Sequence, residues 1–152
     1  MKTASKIFAI GMFSGMLYTT LEFLFRGRSH WTMFILAFFV GIILMFLNDE
    51  VLEYDTPYEL QVLAGTATCT MFEFLFGIIF NRNFTIWDYR NMWGTLHFTG
   101  NQINIIFCGV WMLVTAFGLI LLDWMQWKLG LGQAPYYHSI ITGKTYYMSK
   151  RR

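Results

Sequence analysis

Four apolar runs, each about as long as a bilayer is thick, limit what this chain can fold into. They cover Ile7–Phe25, Trp31–Asn48, Leu60–Phe80 and Ile103–Leu122. A helix needs about 20 predominantly apolar residues to cross the hydrocarbon core of a membrane. We therefore expect an all-α integral membrane protein with four transmembrane helices.

The composition supports this class. Of the 152 residues, 56% are hydrophobic and 13% are charged, whereas a soluble domain carries about 25% charged residues. The aromatic share of 20% suits lipid-facing and interfacial surfaces. Because the net charge is only +2 and no basic stripe is present, nucleic acid is not an expected partner.

Two stretches are too polar to cross lipid. Phe84–Asn101 mixes aromatic, acidic and basic residues, and we expect it to lie in the membrane interface or to form a re-entrant segment between the third and fourth helices. Residues 129–152 form a Gly- and Tyr-rich tail. We expect this tail to lie along the membrane surface or to be partly disordered. Residues 1–128 then form the transmembrane domain.

The orientation rests on weak signals. Lys and Arg residues near the four runs divide evenly between the two sides, so the positive-inside rule does not decide. The basic end, Lys150 to Arg152, favours cytoplasmic termini. We expect a bacterial-type plasma membrane. The first run is expected to be retained, because a signal peptide has a shorter apolar core and a small-residue cleavage site.

Two similar stretches each place a glutamate inside an apolar run: "TTLEFLF" contains Glu22 and "TMFEFLF" contains Glu73. An acidic residue deep in a membrane helix costs about 3 kcal/mol and is normally paired or functional. Arg26 lies one turn from Glu22, which predicts an ion pair. Glu73 has no basic neighbour within its helix, so its partner must come from another element.

Helical spacing puts both glutamates on small or polar faces, which we expect to point inward. The first face comprises Gly11, Gly15, Tyr18, Glu22 and Arg26, and the second comprises Val62, Thr66, Cys69, Glu73 and Gly77. A true repeat would give two helical hairpins related by an axis along the membrane normal. The alternative is that abundant Phe and Leu produce part of the match. The Gly11–Gly15 spacing is also compatible with a homo-oligomer.

Six short motifs occur in order: "FRGRSHWTM" from Phe25, "LNDE" from Leu47, "PYELQ" from Pro57, "EFLFGIIFN" from Glu73, "WDY" from Trp87 and "GNQI" from Gly100. Together they resemble the ABC-transporter type IV family of small bacterial membrane proteins, which has vertebrate relatives. The resemblance covers roughly residues 10–125 and implies transport. Two departures, Arg90 after "WDY" and Asp49 within "NDE", leave the shape of those loops open.

We expect a polar site between the spans. Its candidate substrate-binding residues are Glu22, Glu73, Arg26, Arg28, Asn48, Trp87, Asp88, Tyr89 and Gln102. Several have a structural alternative. The "RGRSH" loop can bind an anion, or it can cap the second helix. Asp88 can instead cap a helix or pair with Arg26 or Arg28. The amides of Asn48 and Gln102 can instead form hydrogen bonds between helices.

Three functions fit this site. The first is a small permease-like or small-molecule-binding component for a polar or zwitterionic molecule; a proton-coupled version requires Glu73 to exchange a proton. The second is a holin-like or structural membrane protein. The third is an intramembrane enzyme acting on a lipid headgroup, with Glu73 or Asp88 as general base. The chain lacks Walker A, GxSxG and HExxH patterns, so an enzyme is less expected, and no cofactor or metal is expected.

Overall fold

The bundle consists of four helices followed by a short hairpin. The structure, a computed structural model, describes residues 3–47, 52 and 55–148. The helices are α1 (Thr3–Arg26), α2 (Trp31–Phe46), α3 (Tyr58–Phe80) and α4 (Ile105–Leu129), and the strands are β1 (Tyr136–His138) and β2 (Thr145–Tyr147). Helix α1 packs along α2, and α3 packs along α4. The described residues are thus mainly helical, with the antiparallel β1–β2 pair as an addition to the expected fold.

Helices α1, α3 and α4 are long and apolar enough to cross a membrane, so the structure is compatible with an integral membrane protein. Helix α2 is also apolar but has only 16 residues, which reach about 24 Å against a hydrocarbon core of about 30 Å. The crossing expected over Trp31–Asn48 is therefore not established. The helix itself ends at Phe46, and Asn48 lies outside the described residues.

Side-chain caps and a glycine explain where α2 begins and where α4 begins and ends. The side chain of Asn104 accepts a hydrogen bond from the Ile106 amide at 2.9 Å, so α4 begins at Ile105 rather than at Ile103. Gly130, with φ of 67°, ends the helix at Leu129, beyond the expected Leu122. His30 caps α2 by accepting from the Thr32 amide at 3.3 Å. The "RGRSH" loop therefore performs the capping role.

The small residues of α1 allow it to pack closely against α2. A Cβ atom at Gly11 would lie 2.7 Å from the ring of Phe38, and one at Gly15 would lie 2.8 Å from the ring of Phe34. Gly41 of α2 in turn faces the side chain of Ser14. Within the described chain, the GxxxG spacing thus allows two helices of one molecule to approach closely.

Gly15→Ala is expected to lower the free energy of unfolding by about 1–3 kcal/mol, because the added methyl group overpacks the contact with Phe34. Gly118→Ala is the matched control, since a Cβ atom there meets nothing within 4 Å. The control is expected to gain up to about 1 kcal/mol from better helix propensity. Unfolding in mixed micelles with increasing denaturing detergent measures both. Equal changes in the two variants would contradict this account of the α1–α2 contact.

The tail is ordered over its described part, through carboxylates on the bundle. Glu59, in the first turn of α3, accepts hydrogen bonds from the Ser139 hydroxyl at 2.5 Å and from the Ile140 amide at 3.0 Å. The Tyr137 hydroxyl donates to Asp123 of α4 at 2.8 Å. Residues 130–148 thus contain a hairpin that is held on the bundle by acceptors distant in sequence.

The segment between α3 and α4 caps one end of the bundle. It contains one 3-10 turn, His97–Thr99, and otherwise lacks regular helix. Ile86 and Trp87 are buried in it, whereas Trp93 and Phe98 are 83% and 86% exposed. One side of the segment thus packs on protein while the other presents aromatic rings, an arrangement that suits a membrane interface.

Candidate functional site

Glu73 joins three parts of the molecule. Its side chain is buried, and the residue is only 3% exposed. The Tyr89 hydroxyl donates to Glu73 Oε1 at 2.8 Å, and Trp111 Nε1 donates to Glu73 Oε2 at 2.9 Å. Since Tyr89 belongs to the capping segment and Trp111 to α4, the partners of Glu73 do come from other elements, as expected.

Glu22 has the predicted local partner. Arg26 Nη1 donates to Glu22 Oε1 at 2.8 Å, and the Ser29 hydroxyl donates to Glu22 Oε2 at 2.6 Å. Arg26 Nη2 also donates to the carbonyl oxygen of Ile86 at 3.2 Å. The ion pair therefore ties the end of α1 to the loop after it and to the capping segment.

Tyr18 is close to both carboxylates. Its ring stacks on Trp111, with centroids 5.3 Å apart and planes 11° from parallel. The phenol is within electrostatic reach of both Glu22 and Glu73. Its hydroxyl group makes no hydrogen bond to any residue that the structure describes. Glu22, Tyr18, Trp111 and Glu73 thus form one polar cluster across α1, α4 and α3.

Buried amides hold the capping segment in place. The Asn81 side chain is fully buried; its Nδ2 donates to the Trp87 carbonyl at 2.7 Å, and its Oδ1 accepts from the Ile86 amide at 2.9 Å. Trp87 Nε1 donates to the backbone carbonyl of Gln102 at 3.2 Å, and Gln102 Oε1 accepts from Asn81 at 3.2 Å. Trp87 and Gln102 therefore position the segment that carries Tyr89.

Two of the expected site residues lie elsewhere, and a third is outside the described residues. Asp88 is exposed and pairs with Arg90, at 2.7 Å and 2.9 Å, rather than with Arg26 or Arg28, because Arg90 is only two residues away in the same loop. Arg90 lowers the pKa of Asp88 to about 2. Arg28 is exposed. Asn48 lies outside the described residues.

Three members of the site escaped the sequence analysis. Trp111 lies in a strongly apolar run, where the sequence predicts a lipid-facing residue, but its indole nitrogen donates to Glu73. Asn81 is the last residue of the "EFLFGIIFN" motif, and Ser29 lies within the "RGRSH" loop, but neither was predicted to belong to the site. The position of Asn81, a polar residue at the end of a predicted span, could have indicated its role, because backbone groups at a helix end need hydrogen-bond partners.

Beside the polar cluster lies an apolar cavity of about 530 Å³. Helix α1 lines it from Phe13 to Phe25 and α4 lines it from Val110 to Leu122, with α2 behind. Tyr18 and Trp111 form its wall next to Glu73. A cavity of this size lies within the range of about 300–1,000 Å³ for small-molecule sites.

The cluster combines two partnered carboxylates, one phenol whose hydroxyl has no hydrogen-bond partner among the described residues, and an adjoining apolar space. Groups of three metal-ligating side chains are absent from the part of the chain that the structure describes. Comparison of the chain with protein-family models, curated proteins and solved structures finds no match.

Proposed function

We propose that the chain is a permease-like membrane protein that binds a small molecule in the cavity between α1 and α4. One observation carries this proposal: the wall of the cavity contains a phenol, Tyr18, whose hydroxyl lacks a hydrogen-bond partner among the described residues. Tyr18 is half-buried and lines the cavity, and a hydroxyl group can both donate and accept hydrogen bonds, so it is available to a ligand there.

The surroundings of Tyr18 indicate the chemistry of the ligand. The charged groups nearby already have protein partners, because Glu22 is paired with Arg26 and Glu73 accepts two hydrogen bonds. The rest of the cavity wall is almost entirely apolar. A largely apolar molecule with one hydrogen-bonding group fits this space better than the zwitterion suggested by the charges alone.

The transport role, a fourth crossing by α2, a bacterial-type plasma membrane and cytoplasmic termini belong to the same proposal. The motif resemblance to the ABC-transporter type IV family supports the transport role and the bacterial-type membrane. The apolar character of α2 supports the fourth crossing, and the basic end, Lys150 to Arg152, supports cytoplasmic termini. A short apolar helix can cross where the bilayer thins around it or where its flanking residues extend to the interface.

The test compares 1-decanol with decane as probes, which differ by one hydroxyl group. Binding to the protein in nanodiscs is measured by competition and expressed as the ratio of the two affinities. A hydrogen bond to Tyr18 is expected to favour decanol by about threefold to twentyfold, equivalent to about 0.6–1.7 kcal/mol. Tyr18→Phe should abolish this preference.

Tyr146→Phe is the control, because Tyr146 lies exposed in the hairpin and should leave the ratio unchanged. Partition of the probes into lipid is the same for every variant, so it cancels when the variants are compared. If Tyr18→Phe keeps the preference for decanol, the cavity is not the site we propose.

A structural or holin-like protein is the second candidate, and the complete partnering of both buried carboxylates favours it. It predicts that the glutamates serve packing alone, and a holin-like version predicts that expression makes cells permeable. The lipid-headgroup enzyme has less support. Asp88, its exposed candidate base, has its pKa lowered to about 2 by Arg90 and is a weak base at neutral pH.

A further inference from the structure

We infer that the cavity between α1 and α4 is a groove for one hydrocarbon chain of a membrane lipid, which enters sideways from the bilayer. This inference deepens the proposed function and rests on the same cavity. It commits to the chemical class of the occupant, a single acyl chain, and to its source, the lipid around the protein.

The dimensions of the groove match one leaflet. The lining residues run from Phe13 to Phe25 along α1 and from Val110 to Leu122 along α4. Twelve residue steps of helix correspond to about 18 Å, and half of the hydrocarbon core is about 15 Å thick. Because the groove follows the helices, it also runs in the direction of the acyl chains of a leaflet.

The wall offers an occupant almost nothing polar. The Ser14 hydroxyl donates a hydrogen bond to the carbonyl oxygen of Ile10 at 2.9 Å, and the Trp111 indole nitrogen donates one to Glu73 at 2.9 Å. Of the lining side chains, this leaves the hydroxyl of Tyr18 as the polar group without a described hydrogen-bond partner. A methylene chain loses no hydrogen bonds on entering such a space, whereas a water-soluble solute would lose most of its own.

The rim of the groove is apolar and open. Leu113 and Phe117 of α4 are 63% and 75% exposed, and Phe25 of α1 is also exposed. In the membrane such side chains face lipid hydrocarbon, so a chain reaches the groove without crossing water.

Two glycines of α4 provide a matched pair of variants. A Cβ atom at Gly118 or at Gly109 meets nothing within 4 Å, so both positions accept a larger side chain without a clash at the first atom. Gly118 lines the groove, whereas Gly109 is exposed outside it. Gly118→Leu should fill the groove, and Gly109→Leu should make the same chemical change on the outer surface.

The experiment uses phosphatidylcholine vesicles in which a small fraction of the lipid carries a diazirine at the middle of one acyl chain. After illumination, mass spectrometry locates the cross-linked residues. Strong labelling is expected at Leu17 and Val114, which line the groove. In Gly118→Leu this labelling should fall about tenfold, because the leucine overpacks the occupied groove, while Gly109→Leu should match the unmodified protein.

Labelling at Met71 and Ile79, exposed residues of α3, reports ordinary contact with lipid and should be equal in all three proteins. Groove labelling that persists in Gly118→Leu would overturn the inference. So would cross-links between copies at the groove in place of lipid labelling, because they would assign it to a second molecule.

The outcome is separable from the test of the proposed function. If lipid labels the groove but Tyr18→Phe leaves the decanol preference unchanged, the lipid groove stands and the Tyr18 site fails. If the decanol preference depends on Tyr18 but lipid does not label the groove, the lipid inference fails and the small-molecule site stands.

Discussion

Glu73→Leu is expected to lower the free energy of unfolding by about 2–5 kcal/mol, one of the two largest effects that we expect of a single substitution in this protein. The change leaves the Tyr89 hydroxyl and the Trp111 indole without an acceptor in a buried site, and each bare donor costs about 1–3 kcal/mol. Unfolding in mixed micelles, followed by helical circular dichroism, measures the loss.

Glu73→Gln separates hydrogen bonding from volume. Its carbonyl oxygen still accepts one hydrogen bond, but its NH2 group cannot accept the other. The expected loss is about 0.6–1.7 kcal/mol, the range of hydrogen bonds between membrane helices. A double-mutant cycle with Tyr89→Phe should show coupling between the two positions. If Glu73→Leu unfolds like the unmodified protein, Glu73 does not join α3, α4 and the capping segment.

Measuring the affinity of Glu73→Gln for decanol and decane shows whether Glu73 contributes to ligand binding as well as to stability. If the second candidate function is correct, Glu73→Gln lowers stability and leaves the binding of any ligand unchanged. If the carboxylate contributes to the small-molecule site through Trp111, the variant also changes the affinity for decanol. A proton-coupled permease additionally requires that Glu73→Gln remove the pH dependence of transport.

Asn81→Ala is expected to release the capping segment and to lower the free energy of unfolding by about 2–4 kcal/mol. The substitution removes the acceptor of the Ile86 amide and the donor to the Trp87 carbonyl, which are both buried. Hydrogen exchange should therefore speed up at the amides of Ile86 and Trp87, with earlier protease cleavage between α3 and α4.

Asn83→Ala is the matched control, since Asn83 is exposed and its side chain bonds only to Thr85 among the described residues. We expect no more than about 0.5 kcal/mol of change there. Asn81→Asp is a finer probe, because it keeps the acceptor for the Ile86 amide and loses the donor to Trp87. Unchanged exchange at Ile86 in Asn81→Ala would show that the segment holds its position by other contacts.

Local periodicity was enough to predict the Glu73 face and three of the five residues of the other face, whereas Tyr18 is half-buried and Arg26 is exposed. All five residues of the Glu73 face are buried, as are Gly11, Gly15 and Glu22 of the other face. The Glu22–Arg26 ion pair could equally be predicted from the sequence, because both residues lie on one helix and are one turn apart. Such relations follow from the helical repeat and need no knowledge of neighbouring elements.

The helix ends were harder to predict, because hydropathy does not register capping. Asn104 and Gly130 set the limits of α4, and α2 stops at Phe46, short of the expected span. The described part of the tail also escaped prediction, since its order comes from Glu59 and Asp123, far away in the chain.

The chain alone therefore establishes apolar helices with two carboxylates on inward faces, because hydrophobic period and run length are properties of a single helix. The partners of Glu73 arise only when α3, α4 and the capping segment pack, since Tyr89 and Trp111 are 16 and 38 residues from it. The cavity likewise depends on how far α1 stands from α4. No local pattern encodes that distance, because it is set by side chains from several helices packing at once.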